Sequence, residues 1–272
     1  MIVQNAPEGR PRFVITMLQH TTFAGKLARH FGNDRFVPLE PRGPLEFVVA
    51  NHDRGWDELD GRAPQDPETG LPYNLTATPI TDIIATSAGS PDYNEKRHPL
   101  SGLISSMHSY GLYHGRYGLA PDKLFINRVP AELRAEVDRM LEAELARQDR
   151  LRADLETDPA TAAWAGEEVV FRAYKQLQFF DTLSLYFHMQ PAGARGEAVF
   201  DHVPATPTSD AAISVTERSG AVYALDPYPF DADGLSLTTE GRYLAPSEPG
   251  ADLAAVMAST PVTEQAVTLT AA

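Results

Sequence analysis

The chain has 272 residues, enough for one large domain or for a domain with a small appendage. Its net charge of −14, with no basic stripe, argues against nucleic acid or an anionic membrane as a partner and leaves a small molecule, including a phosphoester if a bound cation reverses the local field. Cysteine is absent, which removes disulfides, thiolate catalysis, iron–sulfur clusters and cysteine-type zinc sites, so any metal must be held by imidazole and carboxylate.

In chain order, residues 12–18 are apolar and β-branched enough to predict a strand, and a helix follows over about 19–30, closing at Gly32. Pro44 opens a second helix, 45–53, that Gly55 ends. Residues 56–79 are rich in Asp, Pro and Gly and read as a loop, a candidate lid in which Asp57 and Asp60 are possible acid–base groups. Helical pattern resumes over 80–88 and 99–113. Pro130 opens an amphipathic helix with Leu133, Val137, Met140, Leu141 and Leu145 on one face. The pair Asp158-Pro159 reads as the start of a last long helix running towards Met189.

After Pro191 the pattern changes to alternation, over 198–203, 212–217, 221–225 and 235–239, with turns at Ser219-Gly220 and at 226–230. The expectation is a mainly α protein: a helical metal-binding domain over 13–190, and a small β-rich appendage over 191–272 to which the N-terminal strand is a candidate addition. The longest apolar stretches fall far short of the ~20 residues of a membrane span. Glu8, Arg10 and Arg12 stand where a leader peptide needs its apolar core, so a cytoplasmic enzyme is expected, and a homodimer is left open.

Helix geometry sorts the eight histidines. His20 shares a stripe with Ala24, Leu27 and Phe31, whereas His30 lies about 80° off it. His52 continues the row of Leu45 and Val48, and Asp53 follows it directly. His108 falls on the face of Leu100 and Ile104, with His98 and His114 about 80° and 120° round the same helix. Asp181 interrupts an apolar run, 177–187, where an unpaired carboxylate costs several kcal/mol and so demands a cation, a metal or strong donors. Three inward imidazoles and two inward carboxylates from separate helices point to a metal site inside a bundle.

The order His20, then His52-Asp53-Arg54-Gly55, then Asp181 resembles the HD-domain superfamily of metal-dependent phosphohydrolases over residues 13–190. More closely, the strings at 51–56 (Asn-His-Asp-Arg-Gly-Trp), 66–72, 106–113, 180–185 and 226–230 resemble a bacterial family catalogued as domain-of-unknown-function family 3891. The superfamily resemblance implies an HD-like helical bundle that binds one or two divalent metal ions, drawn from Fe, Mn, Zn, Mg or Ni. By the same resemblance His20, His52, Asp53 and Asp181 are ligands, Asp53 bridges, and His108 serves a second ion. A full dinuclear pattern takes two intervening histidines, and His98 or His114 is left open as the other.

Three functions follow as expectations. The first is hydrolysis of a small phosphoester, with Asp53 and His108 catalytic and Arg54, Trp56 and Lys175 as the foremost substrate-side candidates beside Arg116 and Arg172. The second, which the resemblance to di-iron members such as inositol oxygenase implies, is oxidation of a small organic molecule. The third is a catalytically inactive ligand-binding module.

Overall fold

The computed structural model describes residues 1–7 and 9–272; Glu8, used above in the argument about a leader, lies outside the described residues. Eight α-helices are present among them: α1 Met17–His30, α2 Arg42–Val49, α3 Asp57–Arg62, α4 Ile80–Glu95, α5 Pro99–Tyr113, α6 Arg134–Thr157, α7 Glu167–Met189 and α8 Leu253–Ser259. The strands are β1 Ile2–Val3, β2 Arg12–Ile15, β3 Ala198–Pro204, β4 Asp210–Ser219, β5 Val222–Asp226, β6 Leu235–Leu244 and β7 Thr263–Ala271. None of the described helices is long and apolar enough to cross a membrane.

The expected mainly α bundle with a minor sheet is overturned. The chain is 48% helix and 20% strand, and its strands form one curled, seven-stranded mixed sheet, a half-barrel too large to be an appendage. The strand order is β1-β2-β6-β7-β5-β4-β3, antiparallel throughout except for the parallel pair β5 and β7. Strand β6 runs on to Leu244, so that Phe13 and Val14 of β2 pair with Tyr243 and Arg242. The N-terminal strands are thereby part of the same sheet as the C-terminal ones.

Two physical features hid that sheet. Strand β1 is two residues long, which is too short for any alternation to register. Strand β7 turns only Val267 and Leu269 fully inward, and its threonine-rich remainder reads as polar linker. The parallel pairing of Val222 to Leu225 with Thr268 to Ala271 then depends on a crossover through β6 that no local pattern announces.

One apolar cluster joins sheet and helices. Phe23 and Leu27 of α1 and Phe179, Leu183 and Phe187 of α7 share it with Val203, Ile213, Val215, Tyr223 and Leu269 of the sheet. It therefore runs across residue 190. Each such side chain contributes about 1.5–3 kcal/mol by leaving water, so α1 and α7 are pressed together from the sheet side. Helix α5 is enclosed on its other flanks: Ser101 Oγ donates to Pro44 O, Ser109 Oγ to Ser87 O, and Ser106 Oγ to Glu144 O. Small residues let α2, α4 and α6 approach closely enough to make these bonds, which places the middle of α5 deep in the protein.

Helix α5 follows the boundaries expected from its pattern, but other elements depart from theirs, and α4 runs on from the expected 80–88 to Glu95. Helix α2 stops at Val49, short of the His-Asp pair. Helix α6 starts at Arg134, after a 3-10 turn over Ala131–Leu133. The Asp158 carboxylate accepts from Ala160 N at 2.9 Å and closes a local turn, and α7 starts only after Gly166. The segment read as a loop at 56–79 contains α3.

Candidate metal centre

His20 lies in the first turn of α1, and a capping box fixes that turn. Thr16 Oγ1 accepts from Gln19 N at 3.2 Å while Gln19 Oε1 accepts from Thr16 N at 2.8 Å, an arrangement worth about 1 kcal/mol. Asp181 and Ser184 come from the buried face of α7, and His108 from α5. His52 and Asp53 follow the end of α2 on a turn, where adjacent side chains escape the ~100° divergence that a helix imposes. Gly55 permits this turn to lie against α4: a Cβ there would stand 2.1 Å from Thr86 O and 2.8 Å from Ser90 N. Its N–H donates to Ser90 Oγ at 3.0 Å.

These four segments bring the five expected ligand residues together. His20 Nε2 is 3.2 Å from Asp181 Oδ1, and His52 Nε2 is 3.6 Å from both Asp181 Oδ1 and Asp53 Oδ2. His108 Nε2 is 3.9 Å from Asp53 Oδ1. Two groups result, His20–His52–Asp181 and His52–Asp53–His108, each with donor atoms within 4.8 Å of one another, and either could hold a metal ion.

The far side of each imidazole is anchored. His52 Nδ1 donates to Val49 O at 2.8 Å, which fixes Nε2 as the atom facing the carboxylates. His20 Nδ1 meets Ser184 Oγ at 2.8 Å, while that hydroxyl is also 3.0 Å from the His20 carbonyl. His108 Nδ1 meets the Gln178 side-chain amide at 2.9 Å. Turned over about its terminal bond, the same amide accepts Nδ1–H through the otherwise unpartnered Oε1 and leaves His108 Nε2 as a ligand. Such outer partners are the usual means of orienting a ligating histidine.

His52 Nε2 is fully buried and has no hydrogen-bond partner among the described residues, since 3.6 Å is too long for one. Burial works to lower the His52 pKa, but the Asp53 and Asp181 carboxylates outweigh it and push it up to about 9. Burial and the neighbouring His52 push His108 down to about 4. For Asp181, burial works upward, yet the His20 hydrogen bond and the nearby His52 hold its carboxyl well below the usual carboxylate value. A positive charge is thus wanted among these side chains, and without a metal a proton on His52 supplies it.

The remaining candidates sit elsewhere. His98 is the N-cap of α5, its Nδ1 accepting from Leu100 N at 3.1 Å, and its ring lies by Trp164. His114 is exposed at the end of α5 against Tyr110. Neither reaches the cluster, so no fourth imidazole ligand comes from this helix. His188 is buried beside His20, with both ring nitrogens engaged by Ser184 Oγ and Thr239 Oγ1. Arg54 pairs with Asp57 at 2.9 Å and lies over the Tyr93 ring, while Lys175 is held by Asp210 at 2.6 Å. Asp60 accepts from Met17 N.

A cavity of about 580 Å³ opens onto the cluster through Asp53, His108 and Asp181, within the ~300–1,000 Å³ common for small-molecule sites. Trp56, Ile83, Leu112, Tyr113, Phe125 and Leu185 supply its apolar wall. The 56–79 segment contributes Trp56, Leu75 and Thr76, while more of the cover comes from 122–128. Arg54, Lys175, Asp57 and Asp60 do not line it. Arg116 does, 3.6 Å from Asp181 Oδ2. From sequence Arg116 stands behind Arg54 and Lys175, because nothing in periodicity marks where a loop cation points. Gln178 and Ser184 were missed altogether, although both lie within one turn of Asp181 on α7.

The family described as Protein of unknown function (DUF3891) matches residues 1–246. The chain belongs to this family. The match includes every side chain of the cluster and most of the sheet, stopping before α8 and β7, so the DUF3891 chain carries its candidate centre within the family-wide portion. No curated protein and no solved structure matches the chain.

Proposed function

We propose that this DUF3891 protein is a metal-dependent hydrolase of small phosphoesters, related to the HD-domain superfamily through its ligand set. The observation that carries the reading is the buried, unpartnered Nε2 of His52, between two carboxylates and flanked by two more imidazoles. A donor set of nitrogen and carboxylate oxygen, anchored from behind, fits a divalent ion such as Mn, Fe, Zn, Ni or Mg. His20, His52 and Asp181 would hold one ion, and Asp53 with His108 the side that faces the cavity. A bound divalent metal supplies an acidified water and positive charge for the phosphoryl oxygens.

The chain's own residues then divide the work. Asp53 and His108 reach the cavity wall, so these two meet the phosphoester and Asp53 is the carboxylate placed to take up the proton of the incoming water. His20 and His52, wholly buried behind them, would hold the ion together with Asp181. As the water oxygen bonds to phosphorus the P–O bond to the alcohol breaks, and the proton taken up by Asp53 passes to the departing oxygen, so the products are an alcohol and phosphate. An oxygenase built on the di-iron pattern takes four imidazoles, and the positions of His98 and His114 favour the hydrolase over it.

The test is a screen of small phosphoesters with protein loaded with Mn, Fe, Zn, Ni or Mg, compared with the D53N and H108A variants. The reading expects turnover that drops at least about a hundredfold in either variant, within the range for lost catalytic groups. Oxygen consumption with bound iron, or equal turnover in the variants, contradicts it.

A further inference from the structure

Residues 115–118 (Gly-Arg-Tyr-Gly) carry positive φ at four consecutive positions: 60° at Gly115, 54° at Arg116, 56° at Tyr117 and 89° at Gly118. The two glycines adopt this left-handed turn freely, but Arg116 and Tyr117 pay a steric cost for it. Such strain persists where surrounding structure enforces it, and it gathers at ligand sites. Here Gly115 O accepts from Ala120 N at 3.0 Å, and Tyr117 is held by its hydroxyl to Gln148 Oε1 at 3.1 Å and by its ring against Tyr174. The turn reverses the chain after α5 and delivers the Arg116 side chain into the cavity.

The Arg116 guanidinium is mostly buried, with 15% of the side chain exposed, and makes no hydrogen bond among the described residues. Its nearest anion is the Asp181 carboxylate, whose Oδ2 is 3.6 Å away and whose Oδ1 faces His20 and His52. A guanidinium so placed presents unused donors in a fork suited to a phosphoryl or carboxylate group. By contrast, the cavity's three serine hydroxyls are spent inside the protein: Ser87 Oγ donates to Ile83 O, Ser90 Oγ to Thr86 O and Ser109 Oγ to Ser87 O. Asp122, Lys123 and Asn127 stand at the exposed rim. The interior thus offers an anion anchor beside the cluster and an apolar wall of Trp56, Leu112, Tyr113 and Phe125, with little to recognise a polyol.

We propose that Arg116 receives the anionic group of the substrate and that the apolar wall takes a hydrophobic remainder, making the substrate class phosphomonoesters of aromatic or hydrocarbon alcohols. The chemistry of this assignment rests on the hydrolase reading, while the binding does not.

The test is calorimetric titration of the full chain with benzylphosphonate and methylphosphonate, neither of which carries a hydrolysable P–O–C bond. It compares wild type with R116G and with R116N, two residues that tolerate φ near 54°. Benzylphosphonate is expected to bind wild type about tenfold or more tightly than methylphosphonate, and each variant to lose about tenfold or more for both, with metal content unchanged. No binding to wild type, undiminished binding by whichever variant folds, or no gain from the benzyl group overturns the proposal. Metal content and hydrolysis of benzyl phosphate are measured alongside. A metal-free chain that still binds benzylphosphonate through Arg116 keeps this assignment and rejects the hydrolase, and a metal-loaded hydrolase indifferent to Arg116 does the reverse.

Discussion

His52 and His108, whose rings are centred 5.0 Å apart, respond to the same surroundings in opposite senses. His52 holds its proton up to about 9 because two carboxylates flank it, and His108 gives its proton up by about 4 because it is buried beside that charge. Both groups titrate near 6.5 in the unfolded chain. The His52 contribution to stability is therefore complete below 6.5 and is lost as pH rises through about 9. For His108 the folded form is penalised as pH falls from 6.5 through about 4. Metal-free protein is accordingly expected to be most stable to urea near pH 6.5, with each flank falling by about 1 kcal/mol per pH unit. A metal bound here would replace the His52 proton, so its binding is expected to release one proton at pH 7, read by titration in buffers of different ionisation enthalpy. A stability that climbs from pH 6.5 to 9 without metal is the opposite of what these side chains require.

At the scale of elements, the site is assembled by where helices end. The apolar row Leu45, Val48, His52 suggests one helix through residue 53, but α2 stops at Val49 and the pair sits on a turn. Side-chain direction at His52 was still legible, because a residue buried by either conformation has the same partners to choose from. Asp181 was legible for a firmer reason: a carboxylate in an apolar run needs a cationic partner wherever it lands. What the turn itself needed, a residue with no side chain at Gly55, stood in the sequence as the His-Asp-x-Gly signature without its cause. The cause is contact with α4. G55A is expected to cost about 1–3 kcal/mol from overpacking against Thr86 and Ser90, measured by urea unfolding, and to weaken metal binding by shifting Asp53. Unchanged stability in G55A would mean that α4 gives way easily and does not fix the turn.

On the scale of the whole molecule, the half-barrel sets how far α1 and α7 can separate, and hence whether His20 meets Asp181. Some helices of this design could be read from their pattern, as with α5, whereas the Asp158 cap signal closes a turn and α7 starts only at Glu167. The sheet could not, because β1 is too short, β7 buries too little, and the register of β2 on β6 is decided across more than two hundred residues of chain. Family membership over residues 1–246 agrees with a unit in which sheet and helices share one apolar cluster. The most direct measurement is the metal content of protein purified without added metal and after exposure to Mn, Fe, Zn, Ni or Mg, for wild type, H52A and D181N. At least one ion per folded wild-type chain is expected, with a higher melting temperature in the loaded form and loss of both in the variants. A wild-type chain that takes up no ion, or variants that retain it, contradicts a metal centre at these side chains.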